Sequence, residues 1–271
     1  MKENRTLIVL IVDNSGSIES IRGDMEGALD ALIKDQKTVD GECFISYYPF
    51  DSKIIVEERK EMVVLKDFGK IRITPRGGTA LYKSVCEVID SVGVQLSKIS
   101  ENKRPERVLV AIVTDGDENS SGAVTGDDVK KRVAHQESVY KWKFVYLGAN
   151  QDAYNVSNTI GLSRSNSMNY SISKLGINNM MTGVSESFKS MRSATLSAYE
   201  KDGVVFSEAQ RAAAAENPTE SAARRNKPVV VLLVNEIDGA AAVPLPNWTT
   251  EEAPKAIPCG AGAGNVLPVF P

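Results

Sequence analysis

The chain carries a single histidine, His135, in 271 residues. That scarcity removes most zinc sites and Ser-His-Asp chemistry, because either would have to be built around this one residue. His135 falls in a predicted helix among polar neighbours, with nothing at ligand spacing, and reads as an ordinary surface or half-buried side chain. Cysteine is also scarce. Cys43, Cys86 and Cys259 form no C-x-x-C pair, and an odd count suits neither a disulfide framework nor a structural zinc site. A reducing compartment is the simpler home, with Cys43 in a predicted strand and Cys86 in a predicted helix as small core residues.

A basic surplus is missing too: Lys plus Arg number 32 against 35 for Asp plus Glu, a formal net charge of -3. This argues against nucleic acid and against an anionic membrane surface as partners. Long hydrophobic runs are absent. Residues 7–12 follow Lys2 and Arg5 but end at Asp13 without a small-residue cleavage site, which is too short a run for a signal-peptide core. The longest apolar stretch elsewhere, residues 229–234, is far below the length of a membrane span. The expectation is a cytoplasmic protein with no membrane partner.

With 42% hydrophobic and 25% charged residues, the composition is that of a globular protein able to bury a core without staples. Short apolar, β-branched runs alternate with amphipathic segments, the pattern of an α/β protein with a mainly parallel sheet. Residues 7–12 read Leu-Ile-Val-Leu-Ile-Val, a strand buried on both faces. Ile21, Met25, Ala28, Leu29, Leu32 and Ile33 then share a helical face that Asp40-Gly41 brings to a stop. A strand is predicted at 42–50, and a short third strand at 53–57. The tight turn at Phe50-Asp51-Ser52 favours antiparallel pairing of these two, since a parallel crossover needs a dozen or more residues. A long helix is predicted from Thr79, with apolar residues from Leu81 to Ile99 spaced by three and four. Further strands are expected at 107–114, 143–147 and 169–172. Helices are expected from a capping box at Thr125 and Asp128, at 152–160, and without interruption over 175–199. Beyond Tyr199 the character changes. Residues 201–227 form an Ala-rich helical segment and linker, and residues 228–271 a possible edge strand at 229–234 with a Pro, Gly and Ala-rich tail that cannot pack a core alone.

Three separated segments place oxygen-bearing side chains after buried strands or at a helix start: Asp13-Asn14-Ser15-Gly16-Ser17, Gly77-Gly78-Thr79, and Thr114-Asp115-Gly116. In an open parallel sheet such loops converge where the strand order reverses. Two carboxylates and several hydroxyls form a hard-oxygen set that suits magnesium, with manganese or calcium as substitutes. The glycines allow close backbone approach around a small ion. With these residues in this order, the chain resembles von Willebrand factor type A domains, whose metal-ion-dependent adhesion site is matched at Asp13, Ser15, Ser17, Thr79 and Asp115. The likeness covers roughly residues 6–199. It extends to the stand-alone bacterial and phage members, which carry a similar Gly-Gly-Thr-Ala-Leu stretch and something like Leu147-Gly148-Ala149-Asn150 after the fifth strand.

The resemblance implies a doubly wound, Rossmann-like α/β fold: a mainly parallel six-stranded sheet with one antiparallel edge strand and helices on both faces. It implies that the hydroxyls of Ser15, Ser17 and Thr79 hold the ion, that Asp13 and Asp115 act directly or through water, and that a partner protein's Asp or Glu completes the coordination. Charge agrees with this: two carboxylates neutralise a divalent ion, while hydroxyl ligands leave it a good Lewis acid that accepts a further anionic oxygen. Other readings are weaker. A calcium loop starting at Asp115 would need Gly at the sixth position and Glu at the twelfth, where this chain has Ser120 and Gly126. Asp117 and Glu118 then read as solvated loop acids. A magnesium-dependent phosphatase with Asp13 as nucleophile lacks a second acid two residues on, where Ser15 stands, so no enzyme is expected. A structural or assembly role in a phage or prophage particle rests on the tail alone.

Overall fold

Strand β1, Lys2–Asp13, fixes the layout. A strand's side chains point alternately to the two faces of its sheet, and here both faces are apolar. Ile8, Leu10 and Val12 enter one buried cluster, and Leu7, Val9 and Ile11 enter the other. A strand that is apolar at every position is stable only inside a sheet covered on both sides. The computed structural model, which describes residues 2–149 and 153–216, has that arrangement.

The sheet has six strands in the order β3-β2-β1-β4-β5-β6. The other strands are β2 Glu42–Phe50, β3 Lys60–Val64, β4 Pro105–Thr114, β5 Lys143–Ala149 and β6 Ser167–Tyr170. All neighbouring pairs are parallel except β2 and β3, which are antiparallel at the edge. Helices α1 (Arg22–Gln36) and α5 (Lys174–Ser193) cover the first face, while α2 (Leu81–Ser97) and α3 (Gly126–Tyr140) cover the second. The expected capping box is present at α3, between Thr125 and Asp128. The short helix α4 spans Ala153–Thr159.

The third strand is not where the turn suggested. Residues 53–57 do not form it: Ile54 makes only an isolated bridge to Phe50, and the strand lies at Lys60–Val64. The reason is that Ile54 and Ile55, adjacent in sequence, are both buried, which an alternating strand on an edge does not allow. The Asp51 carboxylate accepts from Lys53 N–H at 3.0 Å and holds the chain in a turn instead. The predicted helix over 175–199 is likewise two helices. Ala194 is extended (ψ 154°), its carbonyl accepts from buried Arg107 at 2.9 Å, and Thr195 caps a new helix α6, Leu196–Lys201.

The Ala-rich segment is a helix, α7 Glu208–Ala215, capped by Ser207 and Gln210. It packs against α5 and β6, and Val204, Phe206 and Ala214 belong to the same buried cluster as α1 and α5. The folded domain therefore runs past Tyr199 to at least Ala215. The edge strand expected at 229–234, the linker from 217, the tail, Asn150 and Cys259 lie outside the described residues. No helix among the described residues is long and apolar enough to cross a membrane.

Candidate metal centre

The sheet's alternation builds the centre. On the α2 face, β1 presents Leu7, Val9 and Ile11, and the next residue of that parity is Asp13. On β4 the same face carries Val108, Val110 and Ile112, followed by Thr114. Val12 pairs with Val113 in register, so Asp13 and Thr114 end their strands side by side. Thr114 Oγ1 donates to Asp13 Oδ2 at 2.6 Å. The strand order reverses between β1 and β4, where the connections leave in opposite directions and open a crevice. Helix α2 packs on this face and delivers Thr79 from its N-terminal side.

Around this corner the oxygens form a chain. Ser15 N–H donates to Asp13 Oδ1 at 2.8 Å, the Ser15 and Ser17 hydroxyls are 2.9 Å apart, and Ser17 Oγ donates to Asp115 Oδ1 at 2.9 Å. Gly116 marks where the groups meet. A methyl at its Cβ position would lie 3.2 Å from Thr79 Oγ1, 3.4 Å from Ser17 Oγ and 4.0 Å from Asp13 Oδ2. All five residues singled out from the sequence thus gather in one place. Asp13, Ser15 and Thr79 are buried, while Ser17 is exposed and Asp115 half-buried, so the cluster has a polar floor and a rim open to solvent.

Burial dominates the electrostatics. Loss of hydration pushes the Asp13 carboxyl up to about 6, against the pull of the Thr114 and Ser15 hydrogen bonds and with a smaller push from Asp115. Asp115 is also raised, again by burial first, with the Ser17 hydrogen bond opposing. A positive charge placed beside the two carboxylates would favour their ionised forms. Nitrogen and sulfur have no part in this. Among the described residues no group of three or more His, Cys, Asp or Glu is placed to hold a metal. His135 sits exposed on α3. Cys43 and Cys86 are free and buried, and burial pushes each thiol up to about 11.

Three residues that support the cluster, Thr114, Glu118 and Asn119, were not among the five candidates. Thr114 orients Asp13, as its parity on β4 could have indicated. Glu118 is not a solvated acid: it accepts from Tyr82 N–H at 2.9 Å at the start of α2, from Ser120 N–H and Ser121 N–H at 2.8 and 2.7 Å, and from the Ser121 hydroxyl at 2.6 Å. Asn119 Oδ1 accepts from Thr79 N–H at 2.8 Å, and the Thr79 carbonyl accepts from Asn119 and Ser120 N–H at 3.0 and 3.2 Å. Together these bonds latch the Asp115 loop to the Thr79 segment. Gly78 is part of the latch, because a Cβ there would fall 2.5 Å from Ser120 Oγ and 2.8 Å from Asn119 Oδ1. Gly77, at φ 67°, turns the chain into it. Asp117 alone remains an exposed loop acid.

No protein-family model and no curated protein matches the chain. Among solved structures it is similar to proximal thread matrix protein 1 from the mussel byssus, at 13% identity and a TM-score of 0.50 over 68% of this chain and 46% of that one. It is also similar to a von Willebrand factor type A structure from Catenulispora acidiphila, at 16% identity and a TM-score of 0.44 over 69% of this chain and 42% of that one. The fold is that of a von Willebrand factor type A domain. The byssus protein has also been solved with zinc in its own metal-ion-dependent adhesion site, a structure to which the chain is 14% identical at a TM-score of 0.49 over 68% of this chain and 46% of that one. The chain spans less than half the length of each of these structures. At such identities the shared property is the fold alone.

Proposed function

We propose that this type A domain is a divalent-cation-dependent protein-recognition module. Magnesium, with manganese or calcium as substitutes, would be held by the hydroxyls of Ser15, Ser17 and Thr79, with Asp13 and Asp115 binding directly or through water. The observation that carries the reading is the convergence of Thr79 Oγ1, Ser17 Oγ and Asp13 Oδ2 beside Gly116. Hard, small-radius ions take octahedral oxygen shells and keep part of their water, which suits a small set rich in neutral hydroxyls better than the seven or eight oxygens calcium prefers. When bound, the ion supplies a Lewis-acid position at the solvent-facing rim. The chain's residues do the rest: Thr114 and Ser15 N–H hold the Asp13 carboxylate in place, and the Glu118 and Asn119 latch holds Thr79 toward it.

In this reading the open position takes an Asp or Glu carboxylate from a partner protein, which exchanges readily with water on the ion. The domain binds and does not turn over substrate. Ser15 occupies the place where a phosphoaspartate enzyme would carry its second acid, and the one histidine lies on α3, beside the start of β4 and not at the C-terminal end where Thr114 meets Asp13. A role as an assembly component, of a phage particle for instance, would use the same contact. The test is capture of partners from a cell extract on immobilised full-length chain, in magnesium and in chelator, with Asp13→Ala and Thr79→Val chains alongside. Magnesium-dependent capture lost in both variants supports the reading. Capture that survives chelator, or both substitutions, overturns it.

A further inference from the structure

Strand β4 stops pairing with β5 at Thr114, which lies opposite Gly148. Asp115, one residue on, is past the ladder, so the backbone that carries this carboxylate has to be held by side chains. On the α2 face the grip is Thr114's own: its Oγ1 lies 3.1 Å from the Gly116 carbonyl and accepts from Gly116 N–H at 3.2 Å. The opposite face supplies Tyr170, the last residue of β6.

Tyr170 is 1% exposed and belongs to the buried cluster beneath α1 and α5. Its hydroxyl donates to the Thr114 carbonyl at 3.0 Å. To do so it reaches past a whole strand, because β5 lies between β6 and β4, two spacings of about 4.8 Å. The register partner of Tyr170 on β5 is Ala149, whose small side chain leaves room for a ring on that face. The bond acts on Asp115 through the backbone. The Thr114 carbonyl and the Asp115 Cα belong to one planar peptide unit, so fixing the oxygen fixes where the Asp115 side chain starts. Asp115 Oδ1 then accepts from Ser17 Oγ at 2.9 Å.

Tyr170 is itself braced. The next residue, Ser171, donates its N–H to the Ala214 carbonyl at 2.9 Å and its hydroxyl to the Glu216 carbonyl at 2.8 Å, at the end of α7. The same segment is tied to the other end of β6, where Phe206 N–H donates to the Ser165 carbonyl at 2.8 Å. Helix α7 therefore runs beside β6 and secures the strand end that meets the metal corner.

We propose that Tyr170 is a positioning residue of the metal centre, setting the Asp115 carboxylate through the Thr114 carbonyl, with α7 as its brace. This role rests on the divalent-ion reading and gives the centre a residue that lies outside the ligand set.

The control comes from the same strand. Tyr199, also fully buried, accepts from Val108 N–H and donates to the Val108 carbonyl, both at 3.1 Å, near the start of β4. Tyr170→Phe and Tyr199→Phe each remove one buried hydroxyl and keep the ring. Full-length, chelator-treated protein is titrated calorimetrically with magnesium, and unfolding is followed in chelator. Tyr170→Phe should bind magnesium about tenfold more weakly than wild type, the usual effect of removing a group that orients a ligand. Tyr199→Phe should stay within about twofold of wild type, because its site is remote from the ion, although unfolding shows both variants destabilised. Magnesium affinity unchanged in Tyr170→Phe, or weakened equally in the two variants, overturns the positioning role and leaves the ion in place. A wild type that takes up no magnesium overturns the divalent-ion reading itself, and this role with it.

Discussion

Replacing Asp13 by Asn should make the metal-free protein more stable and the magnesium response vanish. Asp13 is fully buried, and burial raises its carboxyl from 3.8 to about 6. A raised acid contributes stability that is complete below about pH 4 and is lost as the pH climbs through about 6. At about 1.36 kcal/mol per unit, the metal-free wild type at pH 7 carries a penalty on the order of 3 kcal/mol from this one group. Asn cannot ionise, and the site can accept it. Thr114 Oγ1 lies 3.1 Å from the Gly116 carbonyl, so its proton can turn there while the oxygen accepts from an Asn amide. In chelator at pH 7 the variant should therefore gain up to about 3 kcal/mol, roughly 6–12 °C in midpoint for a domain of this size. Wild-type stability should fall from pH 4 to 6 in chelator and be restored by magnesium, whereas the variant should show no magnesium response and keep only the part of the pH dependence that comes from the raised Asp115 carboxyl. Thermal or urea unfolding across that pH range, with and without magnesium, makes the measurement. A variant no more stable than wild type in chelator, or still stabilised by magnesium, refutes the reasoning.

Removal of the latch should weaken the metal without abolishing the fold. Glu118→Ala leaves the Tyr82, Ser120 and Ser121 donors unpaired and should weaken magnesium at least about tenfold, with Glu118→Gln recovering part of the loss, as titration calorimetry would report. Gly78→Ala should have a similar effect, since its methyl would force Ser120 and Asn119 away from Thr79, at about 1–3 kcal/mol of stability by unfolding. A chain cut after Tyr199 loses buried Phe206 and Ala214 and should unfold or be destabilised by at least about 3 kcal/mol, as Phe206→Ala would be. A native-like far-ultraviolet spectrum and unfolding curve for the truncated chain would contradict the placement of α7 in the core.

What the sequence disclosed, and what it did not, has a physical pattern. Strands β1 and β4 were legible because their central runs, residues 7–12 and 108–113, are buried on both faces and have no polar position, and α2 because its apolar residues repeat by three and four. The five candidate residues, which the structure brings together, stood out because they follow those strands or open that helix. The edge was harder. Ile54 and Ile55 are apolar in a row, as a buried strand would be, yet they tuck under a turn tied by the Asp51 side chain, and the pairing strand is the mixed run Lys60–Val64. The end of α5 was hidden because Ala194 has no local signal for a break, and its carbonyl is claimed by Arg107, distant in sequence. Glu118 looked like a solvated acid for the same reason. Its partners at Tyr82 come from another segment, and composition does not reveal that kind of contact.

The central claim is that the five oxygen-bearing residues hold one divalent ion. The most direct test is calorimetric titration of full-length, chelator-treated protein with magnesium, alongside Thr79→Val, which keeps the side chain's shape and removes only the hydroxyl. The account predicts one ion per wild-type chain and at least about tenfold weaker binding in the variant, with unfolding midpoints in chelator that stay close. Absence of binding at millimolar magnesium, or equal binding by Thr79→Val, would contradict it.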